Sequence, residues 1–242
     1  MLAVCALLAL PAAAAEVQVA VAANFTAPMR RIAALFERDT GHKLLPAFGA
    51  TGAFHAQITH GAPFDVLLAA DASTPARLVT EGFAQGGSAF TFAVGRLVLW
   101  SSQSGVVDAQ GDVLKRGNFD RLAIANPKLA PYGAAAVQVQ ERLGVVDALR
   151  SKWVQGENIA QTYQFVASGN ALLGFVALSQ VFENGAIRSG SGWIVPQHLH
   201  DPIRQDAVLL QRGRDNPAAL ALMKFLRSDA ARRVIAEHGY GS

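Results

Sequence analysis

The sequence predicts an α/β protein built as two α/β lobes with a ligand cleft between them. Three observations carry that prediction. Strand-like and helix-like segments alternate along the chain, the pattern of βα units around a largely parallel sheet with helices on both faces. The alternation runs twice, and two extended apolar segments, residues 92–100 and 207–211, stand where the chain would cross between lobes. The length of 242 residues suffices for one large domain or for two lobes of roughly 100–150 residues each.

The first strand is the alternating, β-branched run Val17-Gln18-Val19-Ala20-Val21. The helix after it places Met29, Ile32, Ala33 and Phe36 at i, i+3, i+4 and i+7, with Arg30, Arg31, Glu37 and Arg38 elsewhere around it. Thr26 or Asn24 is expected to cap this helix, Pro28 to sit in its first turn and Gly41 to end it. A strand over 43–48, a turn over 49–52, a short helix over 53–60, a buried strand over 65–70 and a helix over 73–80 follow. Beyond the first crossing the expected order is strand 122–125, loop 126–133, a helix to 143, a helix near 147–152, strand 152–155, helix 158–168, strand 173–176, helix 179–183 and strand 193–195. The tail over 217–238 reads as helical, with Leu220, Met223, Phe225, Leu226, Val234 and Ile235 apolar, and should return to the first lobe. Lobe one is therefore expected to comprise residues 16–93 and 207–242, and lobe two residues 94–206.

Residues 1–15 carry no charge and end in Ala13-Ala14-Ala15, the small-x-small pattern of a signal peptide cleaved before Glu16, which implies export to the periplasm. The usual basic opening is missing, since no Lys or Arg precedes Arg30. Cys5, the single cysteine, falls inside this leader, so the mature chain should hold no thiol, disulfide or cysteine metal site. The formal net charge of +3 is scattered along the chain, which argues against a nucleic-acid footprint.

Four turns that follow strands and open helices are candidate anion sites: Ala22 to Thr26, Phe48 to Gly52, Pro131-Tyr132-Gly133 and Glu157-Asn158-Ile159. The first N–H groups of a helix have no internal partner and point outward with the positive end of the dipole, so such turns can hold an anion without any charged side chain. All four should gather at the carboxyl ends of the sheets, facing the cleft. Each taken alone is an ordinary helix start. Lys128 and Glu157 lie nearby and read as solvated.

The stretches AANFTAPM, FGATGAFHAQI, GAPFDVLLAAD, NPKLAPYG, GENI and FLRSDAARRVIAEHGY resemble, in order and spacing, the molybdate-binding periplasmic proteins of ABC transporters, across essentially the whole mature chain. The resemblance implies a type II periplasmic-binding fold, no catalysis and no cofactor, and molybdate or tungstate as the ligand. It further implies a monomer that hands its ligand to a permease–ATPase complex. Carried over by position, Asn24 and Thr51 would contact the oxyanion from lobe one, through side chains, backbone N–H groups or both, and Tyr132 and the Ile159 N–H from lobe two. These are contacts to the oxyanion, with no direct ligation of the metal. The chain departs from some relatives at Ala177, where they carry a tyrosine, and at Asn24, where they carry serine; Tyr132 is expected to supply the missing hydroxyl.

Other classes fare worse. There is no Gly-x-Ser-x-Gly elbow, P-loop or His-Glu-x-x-His motif for an enzyme. His198-x-His200 followed by Asp201 could be a metal pair but reads as two exposed loop histidines. Ferric carriers need paired tyrosines, and Tyr132, Tyr163 and Tyr240 are far apart in sequence. Sulfate is the nearest rival ligand.

Overall fold

The structure, a computed structural model, describes residues 14–183 and 185–241. The expected signal peptide lies almost wholly outside the described residues, as does Cys5. The first lobe opens with β1 (Glu16–Ala22), turns through a 3-10 segment (Ala23–Phe25) into α1 (Thr26–Thr40), and continues with β2 (Lys43–Gly49), α2 (Thr51–Thr59), β3 (Val66–Leu68), α3 (Ser73–Thr80) and β4 (Phe90–Gly95). The second lobe holds β5 (Leu97–Ser101), α4 (Val113–Arg116), β6 (Leu122–Ala125), α5 (Pro131–Arg142), α6 (Val146–Arg150), β7 (Trp153–Gly156), α7 (Ile159–Ala167), β8 (Leu173–Ala177) and α8 (Leu178–Val181). A small hairpin of β9 (Phe182–Glu183) and β10 (Ala186–Ile187) and the strand β11 (Ser191–Ile194) complete it. The chain returns through β12 (Ile203–Leu209) and closes with α9 (Pro217–Phe225) and α10 (Asp229–Glu237).

Each lobe is built on a five-stranded sheet. The first has the order β2-β1-β3-β12-β4, with β1 parallel to both its neighbours and β12 antiparallel to β3 and β4. The second has the order β11-β5-β8-β6-β7, with β8, β6 and β7 parallel and β5 antiparallel to β11 and β8. Arg96 alone separates β4 in one sheet from β5 in the other.

Side-chain alternation explains why the central strands read as nearly continuous apolar runs. In β1, Val17, Val19 and Val21 enter a core shared with α1, α9 and α10, while Ala20 faces the opposite core with Phe54 and Leu78. In β5, Leu97 and Leu99 face one core and Val98 and Trp100 the other. A strand covered on both faces needs apolar residues at both parities.

The structure corrects several expectations. The return strand begins at Ile203, which pairs with Gly95, ahead of the expected crossing at residue 207. Arg204 and Asp206 on its outward parity broke the apolar pattern that would have marked it. The C-terminal stretch is two helices, because Ser228 caps a second one by accepting from the Ala231 N–H at 3.3 Å. The helix expected over 179–183 stops at Val181, where the hairpin begins. Helix α4 was not anticipated.

Candidate ligand-binding site

Helices α2, α5 and α7 start at or just beyond the carboxyl ends of β2, β6 and β7, and their first turns meet the 3-10 turn that follows β1 between the lobes. Asn24, Thr51, Tyr132 and Ile159 line one small cavity there, and none is more than 3% exposed. Alanine, glycine and proline make up most of the remaining wall, and no Lys, Arg, His, Asp or Glu is among the described residues lining it.

Capping leaves specific donors over. At α7 the Asn158 side-chain oxygen accepts from the N–H groups of Ala160 and Gln161, both at 3.0 Å, so the Ile159 N–H is the one in that turn not taken by the cap. Ala50 before α2 and Ala130 before α5 have no side-chain acceptor to cap their helices, and Pro131 has no N–H to cap. The Thr51 hydroxyl oxygen accepts from the Ala70 N–H at 2.9 Å, which pins the oxygen and leaves its proton to be donated.

The Tyr132 hydroxyl oxygen accepts from Gln205 Nε2 at 3.1 Å. Burial, reinforced by neighbouring Tyr240, pushes the Tyr132 phenol well above its ordinary pKa against the opposing effect of the Gln205 bond. The phenol is therefore a protonated donor throughout the neutral range.

The expected cap of α1 is not made. Neither Asn24 nor Thr26 caps α1; the Thr26 hydroxyl donates to the Ala23 carbonyl at 2.8 Å. The Asn24 side-chain NH₂ donates to Gln205 Oε1 and to the Tyr240 hydroxyl, each at 2.9 Å. The Asn24 carbonyl accepts from the Ser179 and Tyr240 hydroxyls, each at 2.8 Å. With both amide protons used behind the wall, what Asn24 can offer a ligand is its main-chain N–H in the opening turn.

Sequence reasoning missed Gln205, Tyr240, Ser179 and Gly95. Gln205 is fully buried on β12 and bridges Asn24 of lobe one to Tyr132 of lobe two. A polar residue on the inward parity between Ile203 and Ala207 was the available signal, hidden because the strand itself was not recognised there. Gly95 lies beside this bridge, and a Cβ on it would fall 2.2 Å from the Tyr132 hydroxyl and 2.7 Å from Gln205 Nε2. At the opposite edge of the cavity, the Gly52 N–H donates to the Leu129 carbonyl across the lobes at 2.9 Å.

Lys128 and Glu157 are exposed and do not line the cavity. Ala177 is also outside the lining, buried at the end of β8 with its N–H given to Gln180 Oε1. His200 is only 4% exposed, against expectation, with Nδ1 2.7 Å from the Asp201 carbonyl. Tyr132 and Tyr240, distant in sequence, meet in one hydrogen-bonded network; burial raises both phenols, which opposes the tyrosinate a ferric ion would need.

Residues 17–241 match the family described as bacterial extracellular solute-binding protein. The chain is 61% identical over 235 residues to the molybdate-binding protein ModA of Azotobacter vinelandii, spanning 97% of this chain and 93% of that one. It is 54% identical over 233 residues to the molybdate-binding protein ModA of Rhodobacter capsulatus, spanning 96% and 91%. The solved periplasmic molybdate-binding protein of Azotobacter vinelandii superposes with a TM-score of 0.91 at 38% identity, covering 94% of this chain and 99% of that one.

Proposed function

We propose that this chain, which belongs to the family of bacterial extracellular solute-binding proteins, captures molybdate or tungstate in the periplasm and hands it to an ABC transporter. The observation that carries the reading is the uncharged cavity. Its lining includes four residues able to offer neutral donors, Asn24 and Ile159 by main-chain N–H and Thr51 and Tyr132 by hydroxyl, and Tyr132, the one ionisable group among the described lining residues, is held protonated.

Such a wall suits a doubly negative tetrahedral oxide. A charged side chain would favour any anion, whereas fixed donors around a cavity of set size reward an oxyanion that reaches all of them. A smaller one, such as sulfate, leaves a donor unpaired at ~1–3 kcal/mol. One or two such losses amount to a roughly ten- to thousand-fold or greater preference, since ~1.4 kcal/mol is tenfold. Tungstate, nearly the size of molybdate, should bind as well.

In this reading Thr51 contributes its hydroxyl, Tyr132 its phenol, and Asn24 and Ile159 their main-chain N–H groups. The oxyanion binds one lobe, the other swings over it about the β4–β5 and β11–β12 connections, and the closed monomer docks on the permease. Calorimetric titration with molybdate, tungstate, sulfate and phosphate tests the ligand, with tight binding of the first two and weak or no binding of the others expected. A preference for sulfate or phosphate would overturn it. Scattering profiles that do not compact on adding molybdate would overturn the closure.

A further inference from the structure

We infer that Gln205 is a positioning residue for the anion: its carboxamide forces the Tyr132 hydroxyl to aim its proton into the cavity. This rests on the proposed function and deepens it. A tyrosine hydroxyl has one proton to give and an oxygen that accepts. Because the oxygen receives the Gln205 Nε2 proton at 3.1 Å, its own proton must leave in another direction, and the cavity that Tyr132 lines is there to receive it. Were Gln205 reversed, Tyr132 would donate to Oε1 and present a lone pair to the ligand, repelling an anion.

The orientation of Gln205 is set from behind. Its Oε1 accepts from Asn24 Nδ2, and the same amide donates to the Tyr240 hydroxyl, which passes its own proton to the Asn24 carbonyl. The two bonds from Asn24 to Tyr132, Asn24 Nδ2 to Gln205 Oε1 and Gln205 Nε2 to the Tyr132 hydroxyl, therefore run in one sense. The backbone aims Gln205 as well. The β12–β4 register slips between Gln205 and Asp206, an irregularity of the kind that redirects a side chain out of a regular ladder. Gln205 stands on the strand that re-enters lobe one, whereas Tyr132 belongs to lobe two, so the last bond of the series joins the two lobes.

A double-mutant cycle separates positioning from simple packing. Molybdate is titrated into the wild type, Tyr132→Phe, Gln205→Met and the double variant, with sulfate run in parallel. Gln205→Met should weaken binding about tenfold when Tyr132 is present and less than about twofold in the Tyr132→Phe background. An equal loss in both backgrounds, or no loss in either, would overturn the inference. Gln205→Glu supplies a second readout that does not depend on the Met variant folding. Its protonated carboxyl can still donate to Tyr132, whereas its carboxylate takes the phenol proton away. Affinity should therefore be greater near about pH 6 than near about pH 9, the range in which a buried carboxyl titrates, while the wild type stays flat. A flat profile for this variant would likewise overturn the inference. If the wild type binds sulfate and ignores molybdate, the ligand reading falls alone and the cycle is read with sulfate; if it binds neither, both fall.

Discussion

At the back of the cleft the lobes are joined through buried side chains: Asn24, Gln205 and Tyr240 from the first, Ser179 and Tyr132 from the second, none more than 9% exposed. At the mouth the main-chain bond from Gly52 to Leu129 joins two half-buried residues. The contrast follows from what each end must do. Buried polar groups cannot be parted without leaving donors and acceptors unmet, at ~1–3 kcal/mol each. A main-chain bond at the solvent edge can open and exchange its partner for water at little cost. The back therefore holds the donors of the site in place, and the Gly52–Leu129 end is the more easily opened of the two.

Substitutions at the two ends should differ accordingly. The largest effect is expected from Gly95→Ala, whose methyl group would collide with both the Tyr132 hydroxyl and Gln205. Overpacking of ~1–3 kcal/mol combined with a displaced donor should lower molybdate affinity about a hundredfold or more. Calorimetry showing wild-type affinity would mean that the back of the cleft is not the rigid part. Next come Thr51→Ala and Tyr132→Phe, each expected to weaken binding by ~1–3 kcal/mol; an unchanged dissociation constant in either would remove that hydroxyl from the site. At the mouth, Gly52→Ala places a Cβ 3.1 Å from the Leu129 Cα and 3.2 Å from its carbonyl oxygen. Leu129 sits on a half-buried loop and can shift by tenths of an ångström, so the loss should stay below about tenfold and lie mainly in the dissociation rate, read by stopped flow.

The smallest effect expected is none at all. Because burial raises the Tyr132 phenol well above its ordinary value of 10.0, molybdate affinity should be level between about pH 7 and 9.5. Stability is a different matter. A phenol buried neutral contributes stability that is fully present below the unfolded pKa and is lost as pH rises toward the folded one. Tyr132 and Tyr240 are both raised, so thermal midpoints should fall once the pH passes about 10. An affinity that declines already between pH 7 and 9 would show the phenol ionising early and would contradict its burial.

Much of this molecule was legible in its residues, and the parts that were not have physical reasons. The doubled βα alternation and the four turns that open helices follow from local pattern, whereas Thr51, Tyr132 and Ile159 within those turns were named through the family resemblance. The helices begin at Thr51 and Pro131, earlier than the expected 53 and the end of the 126–133 loop. For Asn24 the chain left open whether side chain or main chain would face a ligand, because the direction of a carboxamide depends on partners 181 and 216 residues away. Gln205 and Tyr240 act only through such distant contacts. The need for glycine at position 95 is likewise invisible locally, since it comes from the tip of a side chain on another lobe.

The choice of Asn158 to begin α7 carries a last consequence. Aspartate caps the start of a helix about as well as asparagine, and its negative charge would even favour the helix dipole. Beside a guest of charge minus two, however, that carboxylate would face a like charge across a poorly screened gap. An amide oxygen performs the same structural task while remaining electrically silent, so helix stability and hospitality to a dianion do not compete at this corner of the fold.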